Sequence, residues 1–459
     1  MTAVDEAGRI TVVNPATEEV VSTLPCGGAA EIDRAVAAAG AAFESWATTE
    51  PAERCAVLDR FAALYAAELE QTAQVITMEM GAPIQVSRAV HAGVSGQVIA
   101  DTVRIAREFE YESRAGDSLL RREPYGVVGA ITPWNNPLYM MFLKAMPALA
   151  AGCTVVHKPS ELSPLSAQRM AGLLERAGLP DGVYNLVVGA AEAGAALSAH
   201  PGVDVLSFTG STGAGRKVAA AAADTVTPAT LELGGKSAAV ILEDADLDQA
   251  VSEGLRSAFN NAGQMCGAWT RMVVPRRLMG EITERAVAGV GEFVVGDPLD
   301  EKTTMGPLVS AAQRARVLGF IRAGIEEGAT PAIGGLGAPP GLERGFYVRP
   351  TVFTNVDNSM TIAQQEIFGP VLSIIAHDGD EDAVRIANDS DYGLRGAVFS
   401  ADPDRALAVA RRMRTGQVDI NGYKLTIDIP FGGYKQSGYG RCQGVMGFEE
   451  YLQIKSIQL

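Results

Sequence analysis

The run Asn260-Asn-Ala-Gly-Gln-Met-Cys266 places a lone thiol directly after a glycine-containing bend. Cysteine chemistry runs through the thiolate, a strong nucleophile toward carbonyl carbon. A buried free cysteine is more often inert packing. Cys26, Cys55, Cys153 and Cys442, none of which is preceded by an amide-rich, glycine-containing bend of this kind, read that way. Leu231-Glu-Leu-Gly-Gly-Lys236 sets the Glu232 carboxylate between two leucines, just before a glycine pair. Apolar company raises a carboxyl pKa, which suits a general base. Ile131-Thr-Pro-Trp-Asn-Asn-Pro137 is a rigid turn carrying two adjacent amides. An amide N–H₂ there either stabilises an oxyanion or ties down its own loop.

Phe208-Thr-Gly-Ser-Thr-Gly-Ala-Gly215 follows an expected strand and opens an expected helix. Glycines let backbone approach a ligand closely, and the free N–H groups of a helix start attract phosphate. The spacing is not G-x-G-x-x-G, so a plain strand–turn–helix junction competes with the phosphate reading. A dinucleotide reading also seeks an acid about 20 residues on, for the ribose. Glu232 meets that count and so carries two rival roles.

The elements that must hold these residues follow from hydrophobic periodicity. After one or two short strands, Glu31 to Trp46 has Ile32, Val36, Ala39 and Phe43 on one helical face. Pro51 opens a long helical run, stopped by Gly81-Ala-Pro83. From Val127 short apolar runs alternate with helical patterns. Strands are expected at Val127 to Thr132, Thr154 to His157, Val183 to Val188 and Val203 to Phe208. Helices are expected at Leu138 to Leu149, Leu165 to Ala177, Ala191 to Ser198 and onward from Ala214. Such alternation means a parallel sheet covered by helices on both faces. After the loop Gly296 to Gly306, a helix at Gln313 to Gly328 and a Gly/Pro-rich excursion at Gly334 to Gly345, the alternation resumes. It runs through Val371 to Ala376, Asp382 to Asn388, Ala397 to Ser400 and Ala406 to Met413.

Composition narrows the class. At 459 residues, 47% hydrophobic and 20% charged, the chain has enough apolar material for large cores without staples. A formal charge of −16 disfavours nucleic acid and anionic membrane surfaces as partners. Residues 1–10 lack a basic region and an apolar region, so no signal peptide is expected, and no apolar run is long enough for a bilayer. Five scattered cysteines and four distant histidines fit a reducing compartment, the cytoplasm, and no metal site.

Taken together, the motifs resemble the aldehyde dehydrogenase superfamily. They are Pro133-Trp-Asn135, Lys158-Pro-Ser-Glu161, Phe208-Thr-Gly-Ser211, Glu232-Leu-Gly-Gly-Lys236, Gly263-Gln-Met-Cys266 and Glu366-Ile-Phe-Gly-Pro370. Asn388 with Tyr392-Gly-Leu394, and Pro430-Phe-Gly-Gly-Tyr-Lys-Gln-Ser-Gly438, continue the match in order along essentially the whole chain. The resemblance implies an NAD(P)-dependent oxidation of an aldehyde to its acid, through a thiohemiacetal and a thioester on Cys266. It makes Glu232 the base that activates water, Asn135 the side-chain oxyanion donor, and Lys144 a lysine near this network, with a structural ion-pair role as the alternative. For NAD, with NADP as a second option, it implies contacts from Ile131, Thr132, Pro133 and Trp134, and from Lys158, Ser160 and Glu161 near the adenosine ribose. Gly194, Phe208, Thr209, Gly210, Ser211 and Leu233 complete the cofactor cradle, with Glu366 and Phe368 beside the nicotinamide. The ribose acid is then Glu161, leaving Glu232 for catalysis; a cap on the helix near Leu165 is the rival role for Glu161. A carboxylate there favours NAD over NADP.

The implied fold is α/β: two doubly wound domains plus a small β oligomerisation element. The dinucleotide-binding domain takes residues 1–108 and 123–234, the catalytic domain 235–440, and the oligomerisation element 109–122 and 441–459. Phe109 to Arg122 and Tyr451 to Leu459 are strand-like, and intersubunit pairing in a homodimer or homotetramer is preferred over an intrachain hairpin with a frayed tail. The substrate tunnel is assigned Asn136, Tyr139, Met140, Leu143 and Trp269, with medium-sized aldehydes and one polar wall expected. Asn136 and Leu143 stand where the family frequently has aromatics, Trp269 where it usually has a small residue, and Gly440-Arg-Cys-Gln-Gly444 replaces Gly-Arg-Glu-Leu-Gly. Two rivals remain: a CoA-acylating relative, which typically lacks the base at Glu232, and a non-catalytic binding descendant.

Overall fold

The computed structural model describes residues 5, 8–424 and 426–459. Val127–Ile131, Thr154–Lys158 and Val205–Thr209 are buried along their whole length, which is why they read as unbroken apolar runs. They form the middle of a sheet ordered Gly438–Tyr439, Ala229–Glu232, Val205–Thr209, Val127–Ile131, Thr154–Lys158, Tyr184–Leu186. All its pairings are parallel except the first. The chain steps outward from Val127–Ile131 in one direction and then returns to its other side, creating a switch point between it and Val205–Thr209. Ligands of such sheets gather at that crevice, beyond the strands' C-terminal ends.

A second sheet is ordered Thr330–Ile333, Thr351–Thr354, Val371–His377, Arg271–Pro275, Ala238–Ile241, Arg395–Phe399, Gln417–Ile420. It is parallel apart from its first strand and encloses a separate core that includes Trp269, Phe353 and Phe399. Gly438–Tyr439, placed by the sequence reading in this second unit, pairs instead with Ala229–Glu232, bringing Gly438 opposite Glu232.

Helices follow the expected periodicity with two departures. The run after Pro51 breaks into Pro51–Ala67 and Leu69–Met80. It stops at Gly81, whose φ of 83° and close approach to Pro15 and Pro307 leave no room for a side chain. Ser87–Val94 is a π-helical turn, a conformation that hydrophobic spacing does not reveal. The helix Leu165–Arg176 is not capped by Glu161. Its first N–H groups, at Leu165 and Ser166, donate to the buried Glu79 carboxylate at 2.7 and 3.3 Å.

The C-terminal strand Leu452–Gln458 forms a seven-pair antiparallel ladder with Ser118–Pro124, which also pairs with Glu112–Ala115. One side of this strand thus pairs within its own chain, through a register running from Leu452 opposite Pro124 to Gln458 opposite Ser118, and its other side is an edge of the sheet. No helix among the described residues is long and apolar enough to cross a membrane.

Candidate active site

The switch point gathers the residues singled out in the sequence. Ile131 lies in register with both Lys158 and Phe208, and Thr209 with Glu232, so these residues share one end of the sheet. Ser211 caps the helix Thr212–Ala223, its Oγ accepting from Ala214 N at 3.3 Å. Gly215 is required for that helix to settle on Leu233, since a Cβ would fall 2.4 Å from its side chain. Lys158 Nζ donates to the carbonyls of Pro159 and Gly189 at 2.8 and 2.9 Å and lies 3.9 Å from Glu161 Oε2. Gly194 sits against the Lys158 stem.

The Thr132 hydroxyl bonds to His157 Nε2 at 2.8 Å, while His157 Nδ1 meets the Tyr184 hydroxyl at 2.7 Å. Burial and the neighbouring lysines push the pKa of His157 down to about 3, so its ring stays neutral. Ser160 Oγ accepts from Leu162 N, and Pro133 lies in the same turn as Trp134, whose ring meets that of Phe368 edge-on at 5.3 Å. Phe368 itself has a φ of 61°, an uncommon conformation that loops near ligands use. Two features of this surface fit a dinucleotide. Thr209 Oγ1 is buried without a hydrogen-bond partner, and Gly210 presses so close to the Phe208 ring that a Cβ would lie 2.6 Å away.

The loop leading to Cys266 is built from three successive left-handed residues, Asn261, Ala262 and Gly263. Gly263 is irreplaceable on steric grounds: a Cβ would lie 2.1 Å from the Gly369 carbonyl oxygen. Asn261 Nδ2 donates to the Asn135 carbonyl at 3.0 Å, and Asn135 Nδ2 donates to the Gln264 carbonyl at 2.9 Å. The turn carrying Asn135 and the loop carrying Cys266 are thereby laced together. Gln264 adds a second tie, its Oε1 accepting from Val309 N and its Nε2 donating to the Asn261 carbonyl. Nothing in the local sequence around Gln264 signals this role, because its partner Val309 lies 45 residues away. On the other side, Gly235 lets the Cys266 carbonyl approach to 2.4 Å of its absent Cβ.

Cys266 keeps part of its surface open to a cavity of about 390 Å³. Desolvation, reinforced by Glu366 and Glu232, pushes its thiol up to about 12. Glu232 is buried, and among the described residues neither carboxylate oxygen has a hydrogen-bond partner. Burial therefore raises it to about 8, against the opposing pull of Lys144 and Arg441. Lys144 is buried as well, donates to Ser207 Oγ at 3.0 Å, and has its pKa lowered by desolvation. Glu366 lies across the glycine pair after Glu232. Its Oε1 accepts from Gly235 N at 3.0 Å, and desolvation lifts it to about 7.

Asn136, Tyr139 and Met140 line the cavity beside Cys266, but two assigned tunnel residues do not. Leu143 lies about 4.5 Å further along its helix than Met140 at 1.5 Å per residue. It faces a separate small void with Val98, Thr102 and Phe448. Trp269 is wholly buried in the second core, edge-on to Phe399 at 6.0 Å. It supports the cavity from behind, through Tyr423 and through a bond from its backbone N to Ser257 Oγ. The unusual Gln443, in contrast, does line the cavity. The Tyr139 hydroxyl donates to Gln443 Oε1, while Gln443 Nε2 donates to the carbonyls of Ile429 and Thr426. Among the described residues no group of three His, Cys, Asp or Glu side chains is placed to hold a metal.

The geometry has counterparts in known proteins. A structure of aldehyde dehydrogenase C from Pseudomonas syringae, a cysteine-to-alanine mutant complexed with NAD+ and octanal, superposes with a TM-score of 0.97. It is 50% identical, and the match covers 98% of this chain and 93% of that one. An aldehyde dehydrogenase of Mycobacterium tuberculosis complexed with NAD+ also gives a TM-score of 0.97, at 44% identity over 99% of this chain and 95% of that one. The 3-succinoylsemialdehyde-pyridine dehydrogenase of a Pseudomonas species is 47% identical over 97% of this chain and 94% of its own length. The family model described as "Aldehyde dehydrogenase family" matches residues 2–457. With the thiol, the buried carboxyl and the amide turn meeting at the switch point of such a fold, this chain belongs to the aldehyde dehydrogenase family.

Proposed function

We propose that the chain oxidises an aldehyde to the carboxylic acid with NAD as its preferred acceptor, using Cys266 as nucleophile and Glu232 as general base. The observation that carries this reading is Glu232: a buried carboxyl without hydrogen bonds, raised to about 8 and within the electrostatic reach of the Cys266 thiol. Cys266 rests as a neutral thiol, so its proton must pass to solvent water as the sulfur attacks the carbonyl carbon. The oxyanion of the thiohemiacetal is met by the second N–H of the Asn135 amide, whose first is held by Gln264, and by the backbone N–H of Cys266. Nicotinamide dinucleotide, when bound across the switch point, supplies the acceptor for the hydride. Lys144 favours the ionised form of Glu232, which then takes a proton from water as that water attacks and hydrolyses the Cys266 thioester.

The cofactor contacts assigned above, from Ile131 to Leu233 with Glu366 and Phe368, belong to this reading, as do the three domains, with Gly438–Tyr439 moved to the dinucleotide-binding sheet. So do a cytoplasmic setting and a homodimer or homotetramer. Ile454 and Ile457 on the edge strand Leu452–Gln458, and Leu459 just beyond it, are exposed, as an assembling edge would be. Substrates of the relatives differ, one being bound to octanal and another named for a pyridine semialdehyde. An aldehyde panel assayed for acid with NAD, with and without CoA, tests the reading: free acid without CoA supports it, and an absolute CoA requirement makes the chain an acylating enzyme.

A further inference from the structure

Two polar side chains at the cavity have donors that the protein leaves open. Asn136 is 4% exposed, and its Oδ1 is bonded to His91 Nδ1 at 2.9 Å. His91 stands on the π-helical turn Ser87–Val94, and burial lowers its pKa, so a neutral ring with its proton on Nδ1 holds the amide oxygen. The Asn136 amide is thereby oriented with Nδ2 unpaired among the described residues. Arg395 is 7% exposed and is fixed just as firmly. Its Nε and Nη2 donate to Asp419 at 2.8 and 3.2 Å, and Nη2 also donates to the Lys424 carbonyl at 3.0 Å. The Tyr423 ring lies 4.0 Å from the guanidinium carbon, and its phenol interacts with the guanidinium as well. Nη1 makes no hydrogen bond of ordinary geometry among the described residues.

Both residues line the cavity that holds Cys266. Arg395 also packs on the residue that follows the nucleophile, with its Cδ 3.3 Å from where a Gly267 Cβ would stand. Of the other polar wall groups, Tyr139 and Gln443 satisfy each other and the Thr426 and Ile429 carbonyls. Donors held rigid by His91 and Asp419, and left free on the cavity side, are matched by an oxygen acceptor on a ligand.

We propose that Asn136 Nδ2 and Arg395 Nη1 form a subsite for a second oxygen acceptor on the substrate. The preferred aldehydes then carry a carbonyl or carboxylate at the end remote from the aldehyde group, as semialdehydes and oxo-aldehydes do. This rests on the reading of the Cys266 cavity as the aldehyde site. An alkanal of equal length leaves both donors desolvated and unpaired, which is how a site built to hydrogen-bond its substrate rejects an analogue lacking the acceptor. A guanidinium hydrogen bond corresponds to roughly 10- to 100-fold in kcat/KM.

The test is kcat/KM for pentanal, 4-oxopentanal and succinate semialdehyde, measured on the full-length enzyme with NAD. The expected result is at least a roughly tenfold preference for one or both acceptor-bearing aldehydes over pentanal. The two arms tell a carbonyl from a carboxylate. In the double variant Arg395→Met/Asp419→Leu, which removes the buried pair together, the ratio should collapse toward one. Arg395→Lys, which keeps a cation for Asp419 but lacks Nη1, should lower it, and Asn136→Ala should lower it in part. Equal or better use of pentanal by the parent overturns the proposal, as does an unchanged ratio in a folded variant. Should no variant fold, the parent panel alone decides. A parent that oxidises none of these aldehydes, or any other, would sink the underlying aldehyde reading, an outcome distinct from one that oxidises alkanals best.

Discussion

Changing the pH from 6 to 9 is the perturbation to which Glu232 should respond most. Its carboxyl sits at about 8 instead of the ordinary 4.5, because burial removes water and no hydrogen bond replaces it. A general base works only when deprotonated, and a group at about 8 is ~1% deprotonated at pH 6, ~9% at pH 7 and half at pH 8. Thioester hydrolysis should therefore accelerate about tenfold from pH 6 to 7 and about fivefold from 7 to 8, then level off. Steady-state kcat with a saturating aldehyde, set beside the pre-steady-state NADH burst, separates hydrolysis from the steps before it. In Glu232→Gln the burst should persist while steady turnover falls by about 10²- to 10⁴-fold. The same burial has a stability consequence of fixed sign. The native state holds the Glu232 proton more tightly than the unfolded chain, so stability falls as pH rises from 4.5 through about 8. Glu232→Gln should escape that fall and show a higher Tm than the parent at pH 8. A flat kcat profile across pH 6 to 9, or full steady turnover in the glutamine variant, would refute the reasoning. Loss of the burst as well would mean that Glu232 also accepts the Cys266 proton.

Lys144 lowers the Glu232 pKa, so Lys144→Met should move the kcat profile to more alkaline pH, with turnover reduced at pH 7 and largely recovered near 9.5; an unmoved profile would make Lys144 purely structural. Glu161, 3.9 Å from Lys158, should make NAD the better cofactor. At about 4 Å and an effective dielectric of 20 the repulsion of a 2′-phosphate is of order 4 kcal/mol before relaxation and solvent screening. Steady-state kinetics should show a clear NAD preference that narrows in Glu161→Gln; a parent equally efficient with NADP would overturn the assignment. Gly263→Ala should cost at least about 100-fold in turnover, because its φ of 72° and the Gly369 carbonyl forbid a methyl group. Unaltered activity together with an unaltered rate of iodoacetamide labelling at Cys266 would show that the loop can shift without consequence.

Much of the fold was legible because strands buried on both faces must be uniformly apolar and covering helices must be amphipathic. Val127–Ile131 and Leu165–Arg176 show that signal plainly. The raised carboxyl of Glu232 could likewise be read from its leucine neighbours. The helix Pro137–Ala151 is different: it is buried nearly all round, so spacing cannot tell the face toward Cys266 from the face toward the neighbouring helices, and Leu143 was misplaced. Trp269 was misplaced because nearness in sequence to Cys266 does not survive entry into the strand Arg271–Pro275, which carries the chain into the second core. The Glu79 cap, the His91–Asn136 bond and the Arg395–Asp419 pair join residues 86, 45 and 24 positions apart, and no local pattern announces them. The pairing of the C-terminal strand was hidden in the same way, because its partner, Ser118–Pro124, lies more than three hundred residues away.

The central claim is that one thiol out of five carries the substrate. Trapping it is the most direct measurement: incubate Glu232→Gln with aldehyde and NAD, quench in acid, and map the acyl adduct by peptide mass spectrometry. A stoichiometric adduct on the peptide holding Cys266, absent in the Cys266→Ala/Glu232→Gln double variant, is the predicted result. An adduct on Cys26, Cys55, Cys153 or Cys442, or continued acid production by a folded Cys266→Ala enzyme, would contradict it.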